Sequence, residues 1–399
     1  MTRQSALSVL VVFGTVAAAP SLFAQSSARH NNMVHQEGRT IVDANNRPLR
    51  LRGVMAEGWL QWEGDVWGKA LLASDSKIRE RLNAMVGPEE AQRFSQQIYE
   101  NYVAEPDIRA MAQLGFNLLR IPVNYRLLED NGPAWASIDR VLGWCEQYHV
   151  YVVIDLHSVP GGQARVPTAD PEHTLVWDSA ENQKKTVEVW KRIATRYRSR
   201  AIIAGYDLIN EPAPSSPQLV ELYQQIVQAV RAVDPDHMII IEGGKLASDL
   251  SLFSRPLCDN QVYSFHTYET IRDNRAEKLA EFKSVSLAQN VPLWVGEFGA
   301  NSYEKIASTR QMFDDPANGI SGWTYWPWKM APGKYPGLVM IHETENWSKV
   351  IGWTALLLPR PLLKPRPEQA LAGMREFAEA VKFQNCSVDE QMKAALLAK

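Results

Sequence analysis

Eight short apolar runs recur along this chain, most of them followed by a stretch of helical pattern, and that alternation restricts the fold more than any other feature. The runs lie at 50–57, 117–123, 151–157, 202–210, 238–243, 262–268, 292–298 and 320–326. Helical patterns fill 136–148, 181–198, 217–233, 276–289 and 303–314, and a last one covers about 367–383. Such a series predicts an α/β chain closed into a (β/α)8 TIM barrel. The competing doubly wound sheet wants a glycine-rich turn after its first strand, and neither GxGxxG nor GxxxxGK[ST] occurs. The surplus over a minimal barrel is easy to place. Residues 60–106 form a long excursion after strand one, with helical stretches at 75–86 and 88–102, and residues 158–180 form a Gly/Pro-rich loop after strand three. Both follow strand C-termini, so both are expected to wall a site on that face.

Two glutamates stand out within this pattern. Glu211 ends the run IIAGYDLINEP, and Glu297 lies in PLWVGEFG. An ionised glutamate at the tip of a buried strand is costly unless it is paired or used. A pair of them points to chemistry that needs two carboxylates, above all hydrolysis of a glycosidic bond. Asn210 beside Glu211 offers a donor suited to a sugar hydroxyl, and Pro212 stops the strand there. His266 and Tyr268 are two apart on one strand and share a face. Asp155 and His157 share a face in the same way, with Asp155 expected as a buried orienting group. Glu57, Glu242 and Glu269 also fall at strand ends, as sugar ligands or as salt-bridge partners.

Composition closes off other classes. The 399 residues are 45% hydrophobic and 22% charged with a net charge of −3 and no long basic run, which disfavours nucleic acid and anionic membranes as partners. Arg3, the apolar stretch from Ala6 to Ala19 and the small residues before Gln25 have the layout of a secretory signal peptide. Residues 1–24 are therefore expected to be a leader cleaved after Ala24, with Ala19 and an uncleaved anchor as alternatives. Residues 25–399 would form a single catalytic domain, secreted or periplasmic, monomeric and without stable membrane insertion. The three cysteines make no disulfide framework, although Cys258 and Cys386 could pair. No His-x-His metal cluster and no GxSxG serine elbow occur.

The segments LRGV (51–54), NLLRIPV (117–123), IDLHSVPGGQ (154–163), LINEP (208–212), HTY (266–268), WVGEFG (294–299) and WTYW (323–326) together resemble glycoside hydrolase family 5, in the family's order. The resemblance implies a retaining β-glycosidase that needs no cofactor or metal, with Glu211 as acid/base and Glu297 as nucleophile. It implies that Arg120 keeps the nucleophile charged, that Tyr268 lies near the nucleophile and His266 near the acid/base. His157 and Asn210 would bind sugar hydroxyls, and Trp326 would form the floor under the cleaved sugar. Trp59, Trp62 and Trp67 cluster after strand one, as sugar platforms or loop packing; Trp59 is the candidate binding residue among them. RGVMAEGWL differs from the RGVNLGGWL of exo-acting β-1,3-glucanase relatives by placing Glu57 where they have glycine. GWL and DLHSVPGGQ still tilt the expected polysaccharide or oligosaccharide substrate toward a β-1,3-glucan. A β-1,4-endoglucanase and a non-catalytic carbohydrate-binding barrel are the alternatives.

Overall fold

A computed structural model describes residues 33–69, 73–268, 275–333 and 335–398. The leader expected at 1–24 and Glu269 lie outside the described residues. Eight parallel strands close into a barrel, each paired to its sequence neighbour, with strand eight returning to strand one. They are Leu51–Met55, Leu118–Asn124, Tyr151–Ser158, Ile203–Asp207, Met238–Glu242, Gln261–Tyr268, Leu293–Gly299 and Ile320–Tyr325, strands one to eight below.

The two-residue period of the strands sorts their side chains into two cores. Leu119, Ile121 and Val123, with Val152, Ile154 and Leu156, face the surrounding helices. The alternate positions point into the barrel. At its N-terminal end these are apolar: Leu51, Leu118, Val153, Met238, Val262 and Trp294 pack together with Val34 and Ile41 of a short hairpin, His35–Glu37 with Thr40–Val42, that covers this end. Further along the same inward rows stand Arg120, Asp155 with His157, Glu242, and His266 with Tyr268. One set of strands thus carries an apolar plug at one end and a charged floor at the other.

The excursion after strand one reaches the site through Glu63, and the start of helix Asp75–Val86 meets Asn124 and Asp170 on the same face. The bodies of helices Asp75–Val86 and Pro88–Asn101 have other partners. They pack against helices Glu345–Thr354 and Pro367–Ala380 near the C-terminus, through Trp67, Phe94, Trp347 and Phe377. The Trp347 and Phe377 rings stack at 4.0 Å, and Trp67 meets both edge-on. Apolar burial of this size outweighs any tendency of the helices to stand free over a cleft. The chain's tail is built in as well: Ser387–Val388 pairs with Val339–Met340, and helix Glu390–Leu397 buries Met392 and Leu396. All three cysteines are free. Among the described residues no helix is long and apolar enough to cross a membrane.

Candidate active site

Arg120 is the hub. It is fully buried on strand two, and its guanidinium spreads over four carboxylates and an amide. Nη1 donates to Glu297 Oε1 at 2.5 Å, while Nε and Nη2 donate to Asp207 Oδ2 at 3.0 and 2.9 Å. Nη2 also lies 3.0 Å from Asn210 Oδ1, 3.1 Å from Glu242 Oε1 and 3.2 Å from Asp155 Oδ2. A planar five-donor fork can serve this many acceptors at once, where a lysine could not. Burial and neighbouring Glu242 push the Asp207 carboxyl well above the usual range, with Arg120 offsetting part of the rise.

Glu297 is held at both oxygens, because the Tyr268 hydroxyl donates to Oε2 at 2.6 Å. Burial alone would raise its pKa, but His266 and Arg120 outweigh that and hold it at about 2. Glu211 lies four residues past the last paired residue of strand four, in a left-handed backbone conformation with φ of 45°. That conformation is unusual for a glutamate. It is pinned by Glu242, whose Oε2 accepts the Glu211 backbone N–H at 2.7 Å. His266 Nδ1 contacts Glu211 Oε1 at 2.9 Å and its Nε2 lies 3.0 Å from Glu242 Oε1. Burial raises the Glu211 carboxyl, with contact from His266 offsetting part and the charge of Glu297 adding to the rise. The reactive atoms of Glu211, His266 and Glu297 all lie within 4.8 Å of one another. Two carboxyls this close, one pulled down and the other pushed up, are equipped for opposite roles.

A second group adjoins the first. His157 Nδ1 is 2.7 Å from Asp155 Oδ2, and its Nε2 is 3.2 Å from Asn210 Nδ2. Beyond it lie Glu63 Oε1 at 3.7 Å and Glu57 Oε2 at 3.9 Å, both buried oxygens without a hydrogen-bond partner. Burial pushes both carboxyls up. Gln163, from the loop after strand three, donates to the carbonyls of His157 and Asn210 at 2.7 and 2.8 Å and so locks strands three and four together here. Trp326 closes one side, its ring edge-on to Tyr268 at 5.9 Å.

Arg120, His157, Asn210, Glu211, His266, Tyr268, Glu297 and Trp326 therefore meet in one place. Trp59 does not join them. It is fully buried and its indole N–H is spent on the Tyr99 carbonyl at 3.1 Å, so it presents no face to a sugar. Trp62 and Trp67 are packed away in the same manner, their N–H groups on the carbonyls of Trp59 and Gly58. Glu63 and Gln163 were missed as individual residues. Glu63 lies among aromatics in LQWEGDVW, where only a strand-end count reaching past Glu57 would have picked it out. A cavity of about 990 Å³ lies at the opposite end of the barrel beside Gln36, Asn46 and Asn290, and contains none of these groups.

Comparison with known proteins bears on the family and the fold. Residues 82–332 match the sequence model of Cellulase (glycosyl hydrolase family 5). A protein of Phanerodontia chrysosporium named Beta-xylosidase is 29% identical over 289 residues, which cover 66% of this chain and 60% of that protein. The Probable glucan 1,3-beta-glucosidase A of Aspergillus fumigatus is 24% identical over 350 residues, 71% of this chain and 84% of its own. Among solved structures, an endogalactoceramidase superposes with a TM-score of 0.57 at 18% identity, covering 88% of this chain and 84% of its own, a likeness of fold alone. With more than half of its length inside the family's pattern, the chain belongs to glycosyl hydrolase family 5.

Proposed function

We propose that this chain is a retaining β-glycosidase that hydrolyses a β-glucan, with β-1,3 linkages favoured. The observation that carries the reading is the pair Glu211 and Glu297, oxygens within 4.8 Å, with the first carboxyl raised and the second held at about 2. Retaining enzymes place their carboxyls about 5 Å apart, whereas inverting ones leave room for a water.

In this reading Glu211 gives its proton to the glycosidic oxygen as the bond to the anomeric carbon breaks. Glu297 attacks that carbon and forms a covalent glycosyl ester. Glu211, now a carboxylate, takes a proton from water, whose oxygen displaces Glu297 and leaves the sugar with its original configuration. Arg120 and Tyr268 keep the Glu297 carboxylate charged and fixed until it reacts. His266, hemmed in by Glu242, Glu211 and Glu297, has a pKa raised well above its ordinary value despite burial, and the imidazolium stabilises the nucleophile further. Glu57 and Glu63 back His157 with buried, unpartnered oxygens, and Trp326 lies under the ring. The β-1,3 preference is supported by the GWL and DLHSVPGGQ segments and by the Aspergillus relative's name. Residues 1–24 would serve as an export leader and residues 25–399 as one monomeric catalytic domain.

Sugar release from a β-1,3-glucan and a β-1,4-glucan, with chromatography of the products and NMR of the first-formed anomer, tests this. Expected is release from the 1,3 polymer with β configuration retained. An α product would overturn the retaining mechanism, and an oligosaccharide ladder from the 1,4 polymer alone would overturn the linkage.

A further inference from the structure

The segment joining helix Glu345–Thr354 to helix Pro367–Ala380 reads ALLLPRPLLKPR from Ala355 to Arg366. Its leucines face solvent: Leu357 is 67% exposed, Leu358 83%, Leu362 99% and Leu363 63%. Single exposed leucines are ordinary, but four within seven residues form a contiguous apolar patch. The loop is also held rigidly in place. The Arg81 guanidinium donates to the carbonyls of Thr354, Leu356 and Leu357. The Trp353 indole donates to the Arg360 carbonyl at 3.0 Å, Lys364 Nζ to the Ala84 carbonyl at 3.0 Å, and Pro365 is buried. The leucines are thus displayed on a fixed backbone.

Charge says what covers them. Arg360, Lys364 and Arg366 are interleaved with the leucines and exposed, and no aspartate or glutamate occurs between Lys349 and Glu368. The net charge of −3, which argued against anionic surfaces, averages over this local excess of cations. We propose that this loop is a peripheral anchor that sets its leucines into the boundary region of an anionic phospholipid surface, with Arg360, Lys364 and Arg366 on the headgroups. A second copy of the chain fits poorly, because a two-fold contact through the leucines would oppose like charges. The apolar runs are far too short to span a bilayer, so contact is interfacial.

Co-sedimentation of the full chain with phosphatidylcholine vesicles, with and without phosphatidylglycerol, decides the matter. Expected is at least tenfold stronger partition onto the anionic vesicles. Leu358→Asp with Leu362→Asp should reduce it at least tenfold, and Arg360→Glu with Arg366→Glu should erase the preference for anionic lipid. Thermal stability and turnover of a soluble substrate should hold, since these side chains are exposed and remote from the glutamates. Undiminished binding by the double-aspartate variant would overturn the proposal by placing the contact elsewhere, for instance in the apolar N-terminal stretch. Absence of partition, or a concentration-dependent dimer abolished by the leucine substitutions, would overturn it as well.

Discussion

At the scale of single residues, the site is an arrangement for distributing protons among crowded carboxyls. Arg120, His157 and His266 face seven buried or half-buried acids, and which acid keeps its proton is set by who touches it. Glu297→Gln should abolish turnover by at least about a thousandfold while a β-glucan oligosaccharide still binds, measured by calorimetry; near-normal turnover would remove Glu297 from the nucleophile's role. Glu211→Ala should cripple natural substrates yet spare the first step on aryl glycosides with good leaving groups, which need no acid; equal loss on both would count against Glu211. The pH profile follows from the same asymmetry. As the proposed nucleophile Glu297 must be ionised, so activity should fall as pH drops through about 2. As the proposed acid Glu211 must be protonated, so activity should fall as pH rises through its raised value, and the basic limb should lie above the ordinary glutamate range. His266→Asn should shift the acidic limb upward, because the imidazolium is the foremost charge holding Glu297 down. An unmoved acidic limb would remove His266 from that role. Arg120, His157, His266 and Tyr268 were legible in sequence because each lies at an inward step of a strand, whereas Asn210, Glu211 and Trp326 lie past their strands' ends and were legible only through the segments LINEP and WTYW. Glu63, outside any strand, had no such step to betray it, and the part of Glu242 in pinning Glu211 is a matter of three dimensions.

Among the elements, each of the eight barrel strands overlaps its predicted run, with ends shifted by up to three residues, because buried parallel strands are continuous apolar runs bounded by polar turns. Strand four is the instructive exception: its run extends to Asn210, but pairing ends at Asp207, and Leu208–Glu211 swing out to bring the carboxylate over the floor. The packing partner of the excursion was not legible, since the aromatic residues that bind it lie some 280 positions further along the chain, Trp67 against Trp347 for example. Sequence alone cannot tell a tryptophan that stacks on sugar from one that stacks on phenylalanine. One strand position makes a sharp prediction. A Cβ on Gly53 would lie 1.9 Å from the Leu118 carbonyl oxygen, on the strand that carries Arg120 two residues later. Gly53→Ala should force strands one and two apart, cost about 1–3 kcal/mol by the usual measure of overpacking, and lower turnover by displacing Arg120. A variant with wild-type melting temperature and turnover would show that this seam gives more than the geometry allows.

Across the whole molecule, additions to the barrel are joined to it by a buried ion pair far from the glutamates. Lys329 Nζ, just beyond strand eight, donates to the Tyr102 carbonyl at 2.6 Å and the Val381 carbonyl at 2.7 Å and lies 2.6 Å from Asp107 Oδ1. Its three donors therefore join the end of the excursion, the end of helix Pro367–Ala380 and the start of helix Glu105–Gln113. Asp107 is completed by the Trp328 indole N–H and the Ala104 backbone N–H. Burial pushes the Asp107 carboxyl up and Lys329 offsets only part of that, so removing the lysine leaves an acid in a place hostile to its charge. Lys329→Met should cost about 3–5 kcal/mol, the usual result of breaking one side of a buried pair, and should also strand two carbonyls. Adding Asp107→Asn to Lys329→Met relieves the unpaired acid but supplies no donor to Tyr102 or Val381. The double variant should thus recover part of the loss and remain below wild type in chemical denaturation. A Lys329→Met loss under about 1 kcal/mol would mean that the aromatic packing alone holds these parts together. Recovery to wild type in the double variant would mean that the carbonyls find other partners, and that the lysine serves only to answer the charge of Asp107.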